Sequence, residues 1–488
     1  MASMTQRTFI LAISQLFNFA VQFMSPIFLV RLLDKTTFGQ YREFLVYSAI
    51  SLSFISFGVK GNLMYFISVD PANEKKLVTN TTFLLFAFSL IGITAIYFLR
   101  NQIGNLTTYN FIFWLMLYIF CYQNIDLLDT LLLARKRSDH VLYWTSANII
   151  IRTGTLIWVA YRTNDVLRII YLLIMLEVAK TIFTVAYLLK NRLLGVRIDR
   201  HLLKQQLYYI LPLGFAAVIG QFNTNLSNVI ISAKLGAAAL AIYAIGSQKI
   251  PLLNIITQSV TYVIFPEMAG RIKKDPMLAL GLWNQSNVLY AFLLLPCFFI
   301  LFVYADVLIN TLFTTQYSEA IPLFRIYLLL MVRRCFELGT PLRAMNKNMY
   351  FVFANFLALI VNIVLVYALF TLIGFYGPAI AFVIAEFALG IFLSVKTISS
   401  YQISWRELLP WKKIGWIVLI NFLALPVLLL RNVFDLHPIA AAGLFSIMFM
   451  GVYLMALRWL QIDEVDLFMS KILHKLNIRW KRRAAAST

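Results

Sequence analysis

Apolar stretches of about 20 residues, the length that crosses a bilayer as a helix, follow one another along the whole chain. Charged or turn-forming residues separate them. Divided at those breaks, the pattern predicts about fourteen spans, near 8–33, 41–66, 77–99, 109–133, 141–161, 166–189, 207–233, 239–265, 279–304, 322–342, 350–371, 374–396, 414–430 and 438–460. Segments such as Phe351–Thr371 are apolar all round. A membrane β-strand would alternate apolar and polar side chains, so only helices can satisfy this backbone in lipid. The fold class read from the pattern is all-α, a polytopic membrane protein. Met1–Thr8 holds one arginine, and no small-residue cleavage site closes the first span, which is therefore read as a retained helix and not a signal peptide.

Composition agrees with that reading. Hydrophobic residues make up 61% of the chain and charged residues 13%, against about 25% charged in soluble proteins. The net charge of +21 turns into topology through the excess of Lys and Arg in cytoplasmic loops. With the N-terminus inside, the inside loops carry Lys60, Lys75 and Lys76, then Arg135, Lys136 and Arg137, then Lys190, Arg192, Arg197, Arg200 and Lys204. Further along they carry Arg271, Lys273 and Lys274, Arg343 and Lys347, and Arg406, Lys412 and Lys413. The outside loops are nearly bare. An even number of spans returns the C-terminus to the inside, where Lys471, Lys475, Arg479, Lys481, Arg482 and Arg483 fit. The basic balance points to orientation and to anionic lipid headgroups as partners, not to nucleic acid. From Ile462 to Arg483, Val465, Phe468, Ile472, Leu476 and Trp480 recur at helical spacing among charges, as in an amphipathic helix lying on the inner leaflet. Cys121, Cys297 and Cys335 lie far apart in separate apolar segments, which predicts buried thiols and neither disulfides nor a metal site.

No loop is long enough to form a soluble catalytic domain, so function is expected inside the membrane. The basic connection Lys190–Gln206 follows the sixth predicted span and reads as a linker between two bundles. The expected organisation is a six-helix bundle over 1–190, a cytoplasmic linker over 191–206 and a second six-helix bundle over 207–400. Two additional spans over 401–460 and a basic amphipathic cytoplasmic tail over 461–488 follow. A loose repeat supports the division, Phe38-Gly39-Gln40-Tyr41 after span one matching Leu240-Ala241-Ile242-Tyr243 after span seven. Parallel repeats of this kind place a substrate site between them near the midplane.

Polar residues within the spans are the candidates for that site. Gln15, Asn18, Gln22 and Ser25 form a stripe on span one, and Gln221, Asn225, Asn228 and Ser232 form one on span seven. Such stripes either hydrogen-bond neighbouring helices or line a wet cavity. Charges discriminate better, because each costs at least about 2.5–3.5 kcal/mol at the bilayer centre. Arg152, Lys249, Arg333, Arg334 and Lys180 are the embedded cations; Asp126, Asp129, Glu177, Glu337 and Glu386 are the embedded acids. The spacings Glu177/Lys180 and Arg333/Glu337 allow ion pairs along one helix face. Arg152 and Lys249 have no carboxylate within a turn of their own helix, and Arg334 needs an anion from elsewhere. Lys60 can instead snorkel to the interface. The unpaired cations suggest a cavity that takes an anion, such as a phosphate. There is no Walker-type loop, no nucleophile elbow and no cluster among the four histidines. No enzymatic chemistry and no cofactor or metal are expected.

Two stretches carry a family resemblance: "LLDKTTFGQYREFLVYSAISLSFISFGVKGNLMYF" (Leu32–Phe66) and the second-repeat start from "LLKQQLYYILPLGFAAVIGQFNTNLSNVIISAKLG" to "PEMA" (Leu202–Ala269). They resemble the polysaccharide-biosynthesis flippases, the Wzx-type O-antigen transporters of the multidrug/oligosaccharidyl-lipid/polysaccharide exporter superfamily. The resemblance implies two six-helix bundles in a V shape, as in multidrug exporters of that superfamily, with two extra C-terminal helices forming a groove for a lipid tail. It implies alternating access, with an oligosaccharide on an undecaprenyl diphosphate carrier crossing the bacterial inner membrane outward, and a product such as O-antigen or capsule. Arg152, Lys249, Lys60, Arg31 and Arg334 are then the candidates for the diphosphate. Gln15, Asn18, Gln22, Asn225 and Asn228 are the candidates for the sugar, and Asp126, Glu177 and Glu386 for ion coupling. Polysaccharide polymerase and chain-length proteins are the implied protein partners. A multidrug cation exporter, which would expose cavity carboxylates, and a membrane-embedded glycan polymerase are the alternatives.

Overall fold

The computed structural model describes residues 4–470 except for 100–110, 123–124, 136, 196, 249, 251–263, 265–266, 269, 273, 337, 346, 348 and 467–468. The described residues form helices and contain no strand. Eight helical stretches among them are long and apolar enough to cross a membrane, and two of these, Arg200–Gly246 and Met349–Tyr401, run over 47 and 53 residues. Large apolar side chains point outward along them: Phe98 is 77% exposed, Leu372 78% and Ile447 74%. Side chains of this kind on the outer surface need lipid around them.

The chain divides into two compact units, one of residues 1–251 and 355–382, the other of residues 252–354 and 383–488. In the first unit the helices are α1 (Met4–Leu32), α2 (Lys35–Ser56), α3 (Val59–Val69), α4 (Glu74–Leu99), α5 (Phe111–Tyr122), α6 (Ile125–Ala134), α7 (Ser138–Thr163), α8 (Val166–Lys190) and α9 (Arg200–Gly246). Predicted span two is not one helix. It stops at Phe57, whose backbone is left-handed, and α3 restarts after Gly58, also left-handed. Predicted span seven and the first residues of span eight, 239–246, fall along α9, whose regular backbone is interrupted at Gly236 (φ 83°). Most of the rest of span eight lies outside the described residues.

Loop contacts sort the turns of this unit to two ends. Asp34, between α1 and α2, meets Asn164, between α7 and α8, at 2.9 Å. At the other end Arg135, after α6, pairs with Glu74 at the start of α4 at 2.7 Å. Lys76 there pairs with Asp199, ahead of α9, at 3.3 Å. Alternation of chain direction, inferred from hydropathy, is thus present in the packing. The core near this second end gathers Val59, Leu63, Leu77, Leu84, Leu131 and Ile210, from α3, α4, α6 and α9.

The second unit contains α10 (Pro276–Val303), α11 (Ala305–Phe313), α12 (Ala320–Arg334) and α13 (Thr340–Ala344). Helices α14 (Met349–Ile373) and α15 (Gly377–Tyr401) start and end in it, their facing ends belonging to the first unit. A short turn, α16 (Trp405–Leu408), and the helices α17 (Trp411–Leu429) and α18 (Pro438–Leu460) complete it. The core there packs Phe299, Tyr304, Ala424, Leu428, Phe445 and Phe449. Tyr304 and Tyr453 donate their hydroxyls to the carbonyls of Leu428 and Phe292 at 3.0 and 2.9 Å, so α10 is tied to α17 and α18. Predicted span ten is interrupted: α12 ends at Arg334, and Pro341 opens α13 in its first turn.

Candidate functional site

The embedded charges of the first unit converge on Arg152. It lies midway along α7, its side chain 27% exposed, with the Nη1 group 3.9 Å from Glu177 Oε1 on α8. Its Nη2 group donates to the Tyr118 hydroxyl on α5 at 3.3 Å. Glu177 is fully buried and also accepts from Lys180 at 3.2 Å, the spacing of one helix turn. Thr181 donates to the Cys121 carbonyl at 2.9 Å and fixes α8 against α5. Two cations therefore share one carboxylate, leaving one positive charge in excess within the triad. Asp129 on α6 exerts a weaker attraction on Lys180.

A guanidinium has five N–H donors in a rigid fork. Tyr118 and Tyr122 each engage the group, and the Glu177 distance lies beyond hydrogen-bond range, so donors remain for another acceptor. They face a cavity of about 350 Å³ lined by Leu45, Ser48, Ala49, Leu52, Ser53 and Ser56 of α2, Tyr118 and Tyr122 of α5, Arg152, and Gln221 of α9. Tyr118 and Tyr122 are one turn apart, their ring centroids separated by 5.5 Å. Phe44 closes on Tyr118 edge to face at 5.2 Å. Ser48 and Ser53 donate to the carbonyls of Phe44 and Ile50 on their own helix, which leaves their lone pairs to accept. Among the described residues of this lining Arg152 is the charged one, and none is a carboxylate. The volume lies at the low end of small-molecule pockets, so it can take a headgroup fragment and not a whole glycolipid.

The other candidates are placed unevenly. Gln221 of the α9 stripe reaches the cavity, whereas Asn225 donates back to the Gln221 carbonyl at 2.9 Å. Asn228 and Asn18 each bury a side-chain oxygen without a hydrogen-bond partner among the described residues, and Gln22 is exposed. Neither asparagine lines the cavity. Arg31 is exposed at the end of α1 and donates to the Ile27 carbonyl at 3.4 Å. In the second unit Arg333 approaches Glu386 of α15 at 3.7 Å and donates to its backbone carbonyl at 3.3 Å. The helix ends at Arg334, and the expected Arg333/Glu337 pair falls on Glu337, which lies outside the described residues. Arg334 is half-buried beside Arg333 and is drawn toward Glu386. Lys249 lies outside the described residues, as do the side chains of Gln15, Lys60, Asp126 and Glu337 and most of the amphipathic tail.

Sequence reasoning missed Tyr118, Tyr122 and the α2 serines. Tyr118 and Tyr122 carried a signal, two hydroxyls one turn apart in an otherwise apolar helix. Ser48, Ser53 and Ser56 recur along α2 in the same way. It also missed Glu43, which is 1% exposed and accepts from Ser232 of α9 at 2.6 Å.

Residues 28–322 match the model of a family described as polysaccharide biosynthesis protein. Among solved structures, the fold is similar to that of the lipid II flippase MurJ in its inward closed conformation. The TM-score is 0.64 at 15% identity, over 95% of this chain and 99% of that one. It is also similar to an inward-facing multidrug resistance MATE family transporter of the MOP superfamily, with TM-score 0.52 and 14% identity over 80% of this chain and 98% of that one. Identities this low express likeness of fold. No protein in the curated set matches the sequence.

Proposed function

Because this chain belongs to the polysaccharide biosynthesis protein family, we propose that it is a flippase for undecaprenyl-diphosphate-linked oligosaccharide. The cargo, an O-antigen, capsule or related repeat unit, moves from the cytoplasmic to the periplasmic leaflet of the bacterial inner membrane by alternating access. Both termini are cytoplasmic on this reading, as the basic loops require. The observation that carries it is Arg152, an embedded cation with donors to spare, facing a cavity rich in hydroxyl groups.

An unaided diphosphate cannot cross hydrocarbon, since an isolated charge loses tens of kcal/mol of solvation there, of order, before compensation. Arg152 supplies the positive charge and the N–H donors that replace lost water. Tyr118, Tyr122, Gln221 and the α2 serines offer partners to the sugar or to phosphate oxygens. Glu177, itself paired with Lys180, holds Arg152 in place. Lys249, Lys60, Arg31 and Arg334 are assigned to the diphosphate at other stages of the passage, and Gln15, Asn18, Gln22, Asn225 and Asn228 to the sugar. Glu177 and Glu386 are engaged by cations, which limits them as coupling acids and leaves Asp126 as the third candidate. A protein of the same fold bears the name lipid II flippase, which supports a lipid-linked glycan as the class of cargo.

A multidrug cation exporter would need an acid in the cavity, and the described lining holds an arginine. Anionic phospholipid headgroups on the inner leaflet are partners of the basic loops, and polysaccharide polymerase and chain-length proteins receive the exported unit.

Arg152→Glu and Arg152→Ala, each expressed as full-length protein in cells depleted of the original, are expected to reduce export at least about tenfold, about 1.4 kcal/mol. Mass spectrometry with face-selective labelling would find complete polyprenyl-diphosphate-linked units held on the cytoplasmic face. Undiminished export by a well-expressed Arg152→Glu protein would remove Arg152 from the site.

A further inference from the structure

Glu43 is an acid buried in the packing of two helices, 1% exposed, and it forms no ion pair among the described residues. It stands on α2, eight residues from Lys35 and so about 12 Å into the helix. One carboxyl oxygen, Oε1, accepts from Ser232 Oγ at 2.6 Å, and the other, Oε2, is buried with no hydrogen-bond partner among the described residues. The remaining embedded acids whose partners are known differ from it. Glu177 holds Arg152 and Lys180, and Glu386 holds Arg333.

The surroundings explain why Glu43 stays unpaired. Helix α2 packs against α9, α4, α5, α8 and α1. From α9 the group meeting Glu43 is the neutral Ser232. Tyr118 and Tyr122 of α5, with Glu177 and Lys180 of α8, gather on Arg152 and not on Glu43. The charges of α4 stand at its first turn, where Glu74 takes Arg135 and Lys76 takes Asp199. Arg31 of α1 is exposed at the helix end. On α2 itself Tyr47 lies one turn along and interacts with the Glu43 carboxyl. Arg42 is adjacent in sequence, so it points about 100° around the helix, and it forms no ion pair with Glu43 among the described residues. A carboxylate this buried, with no ion pair among the described residues, loses hydration without a counter-charge, so the neutral acid is the favoured form.

The position couples this acid to the cavity and to a helix break. Glu43 is two residues from the cavity-lining Leu45, and Ser232 shares α9 with the cavity-lining Gln221. Ser232 also precedes the break at Gly236 by one turn. Gly39, one turn before Glu43, lies so close to Ala237 that a Cβ would fall on its carbonyl oxygen. The Glu43–Ser232 bond therefore sits within one turn of the tightest approach of α2 to α9 and of the point where α9 can bend.

We propose that Glu43 is the proton-binding site of the transport cycle. It carries a proton in the conformation described, with Ser232 bonded to Oε1, and it loses that proton from Oε2 to water when the α2–α9 contact opens. The O–H bond of the acid breaks, a hydronium leaves, and the carboxylate is hydrated in the open conformation. Return of a proton from the other face of the membrane re-forms the acid and closes the contact. One proton is exchanged per cycle against the outgoing cargo. The coupling half of this proposal rests on the flippase reading, whereas the protonation of Glu43 does not.

Infrared spectroscopy of the full-length protein in nanodiscs tests protonation directly. At pH 7 the original protein is expected to show a carboxylic-acid C=O band that Glu43→Gln removes and Glu43→Asp shifts. An absent band, or one that both variants leave unchanged, means that Glu43 is ionised and overturns the proposal. Transport in proteoliposomes then tests coupling, with polyprenyl-diphosphate-linked oligosaccharide as the probe. A proton gradient of one pH unit, acid on the periplasmic side, is expected to shift the original protein's steady-state distribution of the lipid outward by up to about tenfold, the limit for one proton per cycle. Glu43→Gln is expected to lose that response. Equal responses in both proteins, with the infrared band assigned to Glu43, would make it a structural neutral acid and overturn the coupling. If the original protein moves no such lipid, the flippase reading fails while the infrared result stands.

Discussion

Asp199 caps the N-terminus of α9, accepting from the backbone N–H groups of His201 and Leu202 at 3.2 Å and pairing with Lys76. The Leu202 N–H and then the Lys76 ammonium hold its carboxyl below the usual carboxylate range. A lowered folded-state pKa favours the native state above the unfolded value, near 4, and the benefit is lost as pH falls through the folded value. Asp199→Ala is therefore expected to lower the melting temperature at pH 7 and to make a smaller difference near pH 3. Asp199→Asn, which keeps a capping oxygen, separates the cap from the charge. A pH-independent difference between Asp199→Ala and the original would show that the charge contributes nothing. Added salt is expected to weaken the Lys76 part, because that side chain is 55% exposed.

Among the elements, α2 and α9 show how a short loss of side chain sets an interface. Gly39 lets the backbone of α2 approach Ala237 more closely than any residue with a Cβ allows. Gly39→Ala is expected to cost about 1–3 kcal/mol by overpacking, read as a lower melting temperature and reduced yield of folded protein in detergent. A variant as stable as the original would mean that the helices separate there without penalty. The repeat around Phe38-Gly39 pointed to this turn but not to its partner, since hydropathy reports that a segment is buried and not against what. The same limit governed the site. Arg152 was legible because an embedded cation with no carboxylate within a turn on its own helix is costly, and Glu177/Lys180 because one turn suffices to pair them. Glu43 was not, since its position near the start of an apolar run reads equally as an interfacial charge. Interrupted spans were hidden for a related reason: Phe57 and Arg334 end helices inside stretches whose apolarity continues past them.

For the whole molecule, the proposed function poses the question of what would drive a lipid-linked diphosphate one way. A diphosphate carrying two negative charges gains about 2.3 kcal/mol per charge per 100 mV on moving outward across an inside-negative membrane. At that potential the two charges together favour the outer leaflet by about 4.6 kcal/mol, or roughly two-thousandfold in distribution. A positive cavity keeps this force from being wasted only if the cation stays with the protein while the anion leaves. The arrangement meets that condition, because Arg152 is held between Tyr118 and Glu177 and Glu177 is held by Lys180. Proton exchange at Glu43 would add to the same direction, since a proton entering and two negative charges leaving both move with an inside-negative field. The two contributions are separable. In proteoliposomes with a potassium diffusion potential and no pH gradient, an inside-negative voltage is expected to accelerate outward movement of the lipid-linked glycan, and Glu43→Gln should keep most of that response. Transport indifferent to voltage in both proteins would mean that the charged headgroup does not cross the field alone, and that counter-charges travel with it.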